Sequence, residues 1–274
     1  MTASAGLEVP KVPTFRNVDD IDWTPVQRQR NADGSESVIR ERWPIIRPGF
    51  LSAYAHYEPG MVVRRHGHRS NHVVILLDGG AGIADDWCGP GTHIHVPLGA
   101  GFGPIVAGPD GVTCWELSFG EFGGWGDHPE RYDAEIAARG VTPLPDPPIE
   151  IGDWFVDPRG DWGAERPTPK VEGLQEVVTH LDALPVDEVA SGVRIVRAIA
   201  APDFESARVT LDPEAAVTLG RDHAHRLVLV TAGHVTVDGR AAPAGTHVEV
   251  PVGWRLAPVV AGPDGAMLHV LADG

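Results

Sequence analysis

Three histidines within seven residues carry the chemistry in this chain. They sit in the segment Gly60-MVVRR-His66-Gly-His68-RSN-His72-VVILLD-Gly79. Alternate residues of a strand point to one face about 6–7 Å apart, so a His-x-His pair on a strand aims two imidazoles at one point. His72, opening the next strand after a short turn, can close a facial triad with them. Neutral imidazole is a ligand for Zn, Fe, Cu or Ni, so this spacing describes a mononuclear metal centre. The alternative is a set of solvated loop histidines, which needs three of the chain's 13 histidines to cluster by chance.

The elements that must hold these residues occur twice. Residues 91–111 read GTHIHVPLGAGFGPIVAGPDG and residues 245–265 read GTHVEVPVGWRLAPVVAGPDG, identical at 13 of 21 positions with an offset of 154. That period is too long for a solenoid or propeller blade and suits a small β domain present twice. The expected domains are 1–145, carrying an N-terminal arm and the metal site, and 146–274, a degenerate copy. Gly (33) and Pro (25) punctuate short Val/Ile-rich runs, which is the pattern of an all-β protein. The expected strands are Phe50–Tyr57, Met61–His66, His72–Leu77, His93–Val96 and Val112–Phe119, then Val193–Ala200, Phe204–Leu211, Leu227–Thr231, His247–Val250 and Met267–Leu271. Residues 1–45 read as an arm with a strand or two. Pro129 and Gly140 bracket a helix, followed by a Pro-rich linker over 141–153. The repeated Ala-Gly-Pro-Asp-Gly, with Asp110 and Asp264, reads as a hairpin turn.

Both motifs resemble those of the cupin superfamily. Gly60, His66, His68 and Gly79 match the spacing of its first motif, with His72 where a Glu is usual. Gly91, Pro97 and Gly99 match its second, with Phe102 where a fourth ligand, His, is usual. The resemblance extends over about residues 45–120 and 195–272 and implies a bicupin: two jelly-roll barrels joined by a short helical linker. It implies one divalent metal ion, Fe(II) first and Zn, Ni, Cu or Mn otherwise, on His66, His68 and His72. The implied activity is an Fe(II) dioxygenase acting on a small oxygenated or aromatic organic substrate. The alternatives are a redox-neutral metal-dependent isomerase, lyase or hydrolase, or a non-catalytic ligand-binding bicupin.

Substrate contacts are expected from Phe102 as an apolar wall, and from Tyr54 and His56, which share a strand face. Arg64 shares the parity of His66 and either looks into the barrel at an anionic or carbonyl group or stays at the rim. His93 and His95 alternate with apolar Ile94 and Val96 and so face outward, unless one of them touches the site. Asp85 or Asp86 could supply a carboxylate. In the second copy the three ligand registers hold Gly220, Asp222 and Arg226, with Leu256 at the fourth, and His223 and His225 fall out of register. A formal charge of −16 disfavours nucleic acid and anionic membranes as partners. Two cysteines, Cys88 and Cys114, make no disulfide framework, and no apolar run of about 18 residues occurs. The expectation is a cytoplasmic protein with a small-molecule substrate and the strand edges of a homodimer.

Overall fold

A computed structural model describes residues 10–126, 128–149, 170–200, 204–220 and 222–274. Its described residues build two antiparallel sheets. In the first, Thr24–Arg30, Glu36–Arg47, Phe50–Tyr57, Ile105–Gly126, His66–Ile83 and Thr92–Val96 lie in that spatial order. In the second, the order is Thr14–Asn17, Thr246–Val250, His225–Val237, Val259–Asp273, Phe204–Leu211, Val193–Ala200 and Asp187–Ala190. Each sheet closes on an apolar interior, one around Ile39, Leu76, Ile94 and Phe102, the other around Val209, Val230, Val248 and Leu268. These are antiparallel barrels of the jelly-roll type.

The internal repeat holds at the level of hydrogen-bonded register. Tyr57 pairs with Val112 and Leu211 with Ala266. His72 pairs with Ser118 and Val96, and Arg226 with Ala272 and Val250. Every partner in the second barrel stands 154 positions after its counterpart, so any residue of one barrel can be compared with its equivalent in the other.

The chain divides into compact units at Asp22–Thr179 and at Met1–Ile21 with His180–Gly274, rather than at 145/146. The cause is long-range pairing. Thr14–Asn17 adds an edge strand beside Thr246–Val250, with Phe15 opposite Val248, and Asn17 Nδ2 donates to Ala244 O at 3.1 Å and to Thr246 Oγ1 at 3.1 Å. At the other boundary, residues 170–176 stay with the first barrel. Val171 N donates to Gly99 O at 2.9 Å, and the buried Arg65 guanidinium pairs with Glu176 at 3.2 Å. The helix expected between Pro129 and Gly140 is present as Pro129–Arg139, ended by Gly140 at φ 62°, and it lies inside the first unit rather than between the two. The Pro-rich stretch is described only as far as residue 149; residues 150–153 lie outside the described residues.

Ala-Gly-Pro-Asp-Gly is not a hairpin turn. The chain bulges there and runs on in the same strand, the pairing stepping from Ala107↔Ala81 to Val112↔Gly79. At the bulge Gly79 sits at φ +68°, and a Cβ on it would come within 2.2 Å of Gly111 O; at Gly233, also φ +68°, a Cβ would meet Gly265 O at 2.1 Å. The glycines that end the first motif are therefore required by backbone contact as well as by conformation. Gly79→Ala and Gly233→Ala are each expected to cost more than about 2 kcal/mol in urea unfolding. Gly34→Ala, at φ +87° with nothing within 4 Å, is expected to cost only the left-handed penalty of about 1 kcal/mol.

Candidate metal centre

His66, His68 and His72 all belong to the one strand His66–Ile83. In a straight strand residues 68 and 72 would stand about 13 Å apart, yet their ring centroids are 4.4 Å apart. The strand therefore bends sharply over Arg69–Asn71, and this bend, rather than a turn into a second strand, folds the third imidazole onto the first two. The His66 and His68 centroids are 4.9 Å apart. Gly67 between them has no room for a side chain: a Cβ would fall 2.2 Å from the Trp125 ring and 2.5 Å from Ala100 O. Phe102 touches all three rings, with centroids at 4.5, 5.9 and 5.5 Å. It is held there by Arg65, whose guanidinium donates to Gly101 O at 2.7 Å and Gly103 O at 2.9 Å on either side of it.

Burial sets the electrostatics. Desolvation pushes the His66 pKa down to about 4 and that of His72 to about 3, and drives that of His68 well below its usual value. All three rings are therefore neutral at pH 7, the form that ligates a metal. His66 Nδ1 lies 2.8 Å from Arg64 O. Since a carbonyl only accepts, Nδ1 carries the hydrogen and Nε2 the lone pair, the orientation found in metal-ligating histidines. His68 Nε2 and both ring nitrogens of His72 are buried without a hydrogen-bond partner. Unpaired buried nitrogens are costly, and a divalent cation would satisfy them. Among the described residues no three His, Cys, Asp or Glu side chains already converge in ligand geometry; the rings meet edge to face and must rotate to share an ion. The donor chemistry fits a divalent metal, with His66, His68 and His72 as the residues that would hold it.

A carboxylate below the histidines escaped the sequence reading. Glu116 Oε2 lies 3.6 Å from His72 Nε2, and Oε1 accepts a 2.5 Å hydrogen bond from the Tyr57 hydroxyl. Cys114 Sγ is 3.6 Å from the same oxygen. Burial raises the Glu116 pKa, opposed by the hydrogen bonds from Tyr57 and Cys114; burial, then the Glu116 charge, pushes the Tyr57 and Cys114 pKa values well up. With Val74, Leu76 and Phe102 these groups line a cavity of ≈ 20 Å³, space for about one water-sized molecule. The signal for Glu116 lay in the repeat. In the second barrel, 154 residues on, Tyr57, Cys114 and Glu116 become Leu211, Leu268 and Val270.

Several expected residues lie elsewhere. Tyr54 and His56 have the opposite parity to Tyr57 and face away from the lumen. Tyr54 packs between Trp23 and Trp115 at 5.7 and 5.8 Å, and His56 Nδ1 bonds Thr113 Oγ1 at 2.9 Å. Arg64 is exposed and lies over the Tyr132 ring at 5.6 Å. It falls where the chain leaves strand geometry between Val62–Val63 and His66, so its parity says nothing about the barrel. His95 pairs with Val73 and His93 with Ile75, on the sheet face away from His72. His93 is nevertheless 1% exposed, so it is not the solvated residue that alternation suggests. Asp85 is an exposed partner of Arg131 at 3.0 Å, and Asp86 is exposed.

The second barrel has no equivalent centre among its described residues. Arg226, at the register of His72, is 1% exposed and uses its guanidinium to tie the neighbouring loops. Nη1 donates to Leu219 O and Gly220 O, both at 3.0 Å, and Nη2 donates to Trp254 O. His225 pairs with Glu249 at 2.9 Å.

No protein-family model matches the chain, and no curated sequence does. Solved structures do. A "putative dioxygenase" from Nostoc punctiforme PCC 73102 superposes with a TM-score of 0.64 at 11% identity, over 97% of this chain and 84% of that one. Oxalate decarboxylase from Bacillus subtilis superposes with a TM-score of 0.62 at 17% identity, over 97% and 77%. A tryptophan-to-phenylalanine variant of that enzyme superposes with 0.61 at 17%, over 97% and 78%. At these identities the likeness shows the fold: this chain is built on the same cupin-type jelly-roll architecture over nearly all of its length.

Neutral buried histidines make the metal-free protein acid-sensitive. An unfolded histidine binds a proton near pH 6.5, whereas folded His66 and His72 do so only at about 4 and 3. Below pH 6.5 the unfolded state holds more protons, so stability falls as pH drops from about 6.5 towards 4. Each group contributes up to about 1.4 kcal/mol per pH unit, and none contributes above about 6.5. His93 and His247, lowered by burial to about 4 and about 3, add to the slope. Urea unfolding at pH 7.0, 5.5 and 4.5 should show this slope and its reduction in His72→Gln; an unchanged slope in that variant would contradict the burial of His72.

Proposed function

We propose that this chain is a bicupin metalloenzyme whose first barrel holds one divalent ion on His66, His68 and His72. Fe(II) is the first assignment. The reaction is oxygenation of a small oxygenated or aromatic organic compound. The observation that carries this reading is the cluster of three neutral imidazoles, with the buried His68 Nε2 and both His72 nitrogens lacking a hydrogen-bond partner, set against Arg226 at the His72 register of the second barrel. The largely apolar ≈ 20 Å³ space lined by Phe102 and Glu116, both of which reach the rings, suits a molecule the size of O2. The ion, when bound, would supply Lewis-acid and one-electron chemistry towards substrate oxygen atoms and O2.

The chain's own residues prepare that chemistry. Arg64 O fixes the His66 tautomer. Phe102 covers the three rings and keeps water from them. Glu116 holds or accepts a proton at Oε2, and Tyr57 anchors the other carboxylate oxygen. A buried carboxylate in this place also favours a second reading, a redox-neutral isomerisation or lyase reaction in which Glu116 moves the substrate proton.

Iron-loaded protein should consume O2 with members of a panel of diketones, phenols and hydroxyketones, and the His66→Ala/His68→Ala double variant should not. Absence of uptake at full iron loading, with substrate converted equally well without O2, would replace the oxygenase by the redox-neutral reading. Under either reading Glu116→Gln should lower kcat by roughly 10²-fold or more while metal content stays at the wild-type level.

A further inference from the structure

We infer that the second barrel is a binding site for a small organic carboxylate, held by Arg226 at the register where the first barrel places His72. Beside Arg226 lies a cavity of ≈ 210 Å³ lined by Ile195, Ala207, Val209, Leu219 and Val270, against ≈ 20 Å³ in the first barrel. At the one register the two cavities share, Glu116 of the first barrel is Val270 here, which removes a carboxylate from the lining.

Arg226 is fixed and incompletely neutralised. Its Nη atoms are taken by three carbonyls and by Asp222 Oδ1 at 3.3 Å. Asp222 also serves Arg255, whose Nε donates to Oδ2 at 3.1 Å, so one half-exposed carboxylate faces two guanidinium groups. Arg226 Nε is buried without a partner. The other charged groups lining the cavity, Arg197 and Glu205, pair with each other at 3.8 Å, and Arg197 pairs also with Asp187. A buried cation lacking a full counter-ion is costly, and an incoming carboxylate supplies both the charge and an acceptor for Nε–H. Nε–H has no acceptor and Nη2 serves Trp254 O alone, so two guanidinium donors remain, as many as the two oxygens of a planar carboxylate accept. The apolar lining takes a short branched or aromatic body, so the ligand class is a monocarboxylic acid of about four to seven carbons. This site needs no metal and does not depend on the function proposed for the first barrel.

Calorimetric titration of the full chain with isobutyrate and benzoate should show one site per chain, with isobutyramide and benzamide weaker by about 10-fold or more. Ala207→Phe, which fills the cavity, should abolish binding, and the His66→Ala/His68→Ala variant should retain it. Independently of any substitution, the Arg226 Nε–H cross-peak in the ¹H–¹⁵N spectrum should move with the acids and not with the amides. An Arg226 cross-peak indifferent to every acid, or acid binding lost in the His66→Ala/His68→Ala variant, would overturn the assignment.

Discussion

Desolvation of three imidazoles is the constraint around which the first barrel is built. Placed in an apolar lumen under Phe102, they cannot carry charge at neutral pH, and His68 and His72 hold buried ring nitrogens without a hydrogen-bond partner. A core of this kind is poor packing unless something else completes it, since each unpaired buried nitrogen costs on the order of 1–3 kcal/mol. The surrounding features serve to keep the rings together: the bend over Arg69–Asn71, the side-chain-free Gly67 under Trp125, and the buried Arg65–Glu176 pair that holds the Phe102 segment.

The second barrel shows what the same backbone does without that constraint. Register is preserved in the central strands, and both barrels keep the bulge at Gly79 and Gly233, because backbone closure requires it. The lumen is not preserved. A guanidinium stands at the register of the third imidazole and ties the neighbouring loops by hydrogen bonds, while the tyrosine, cysteine and glutamate of the first lumen give way to two leucines and a valine. Lumen side chains and backbone closure thus reside in different residues, which is why the two copies can differ in the first and share the second.

Much of this was legible in the chain. Local alternation and punctuation located the strands: Phe50–Tyr57, Val193–Ala200 and Phe204–Leu211 have the expected bounds, and Pro129 and Gly140 bracket the helix. The His-x-His spacing brought His66, His68 and His72 together with Phe102. What failed was anything dependent on absolute parity or distant pairing. Period-2 reasoning groups Tyr54 with His56 correctly but cannot say which face is the lumen; Tyr57, one position on, has it. Parity carried from His66 back to Arg64 broke where the strand does. The edge strand Thr14–Asn17 joins residues 229–235 positions away, a pairing with no local signature. Glu116 was visible only by aligning the two copies through their whole length rather than over the 21 residues of strongest identity.

The central claim, one ion in the first barrel and none in the second, is tested most directly by Co(II) titration of the metal-free chain. It would be followed by visible absorption and calorimetry, beside the His66→Ala/His68→Ala variant. One equivalent with imidazole-type ligand-field bands, lost in the variant, is the predicted result. No binding, a second equivalent of equal affinity, or an equivalent that survives in the variant would contradict the account.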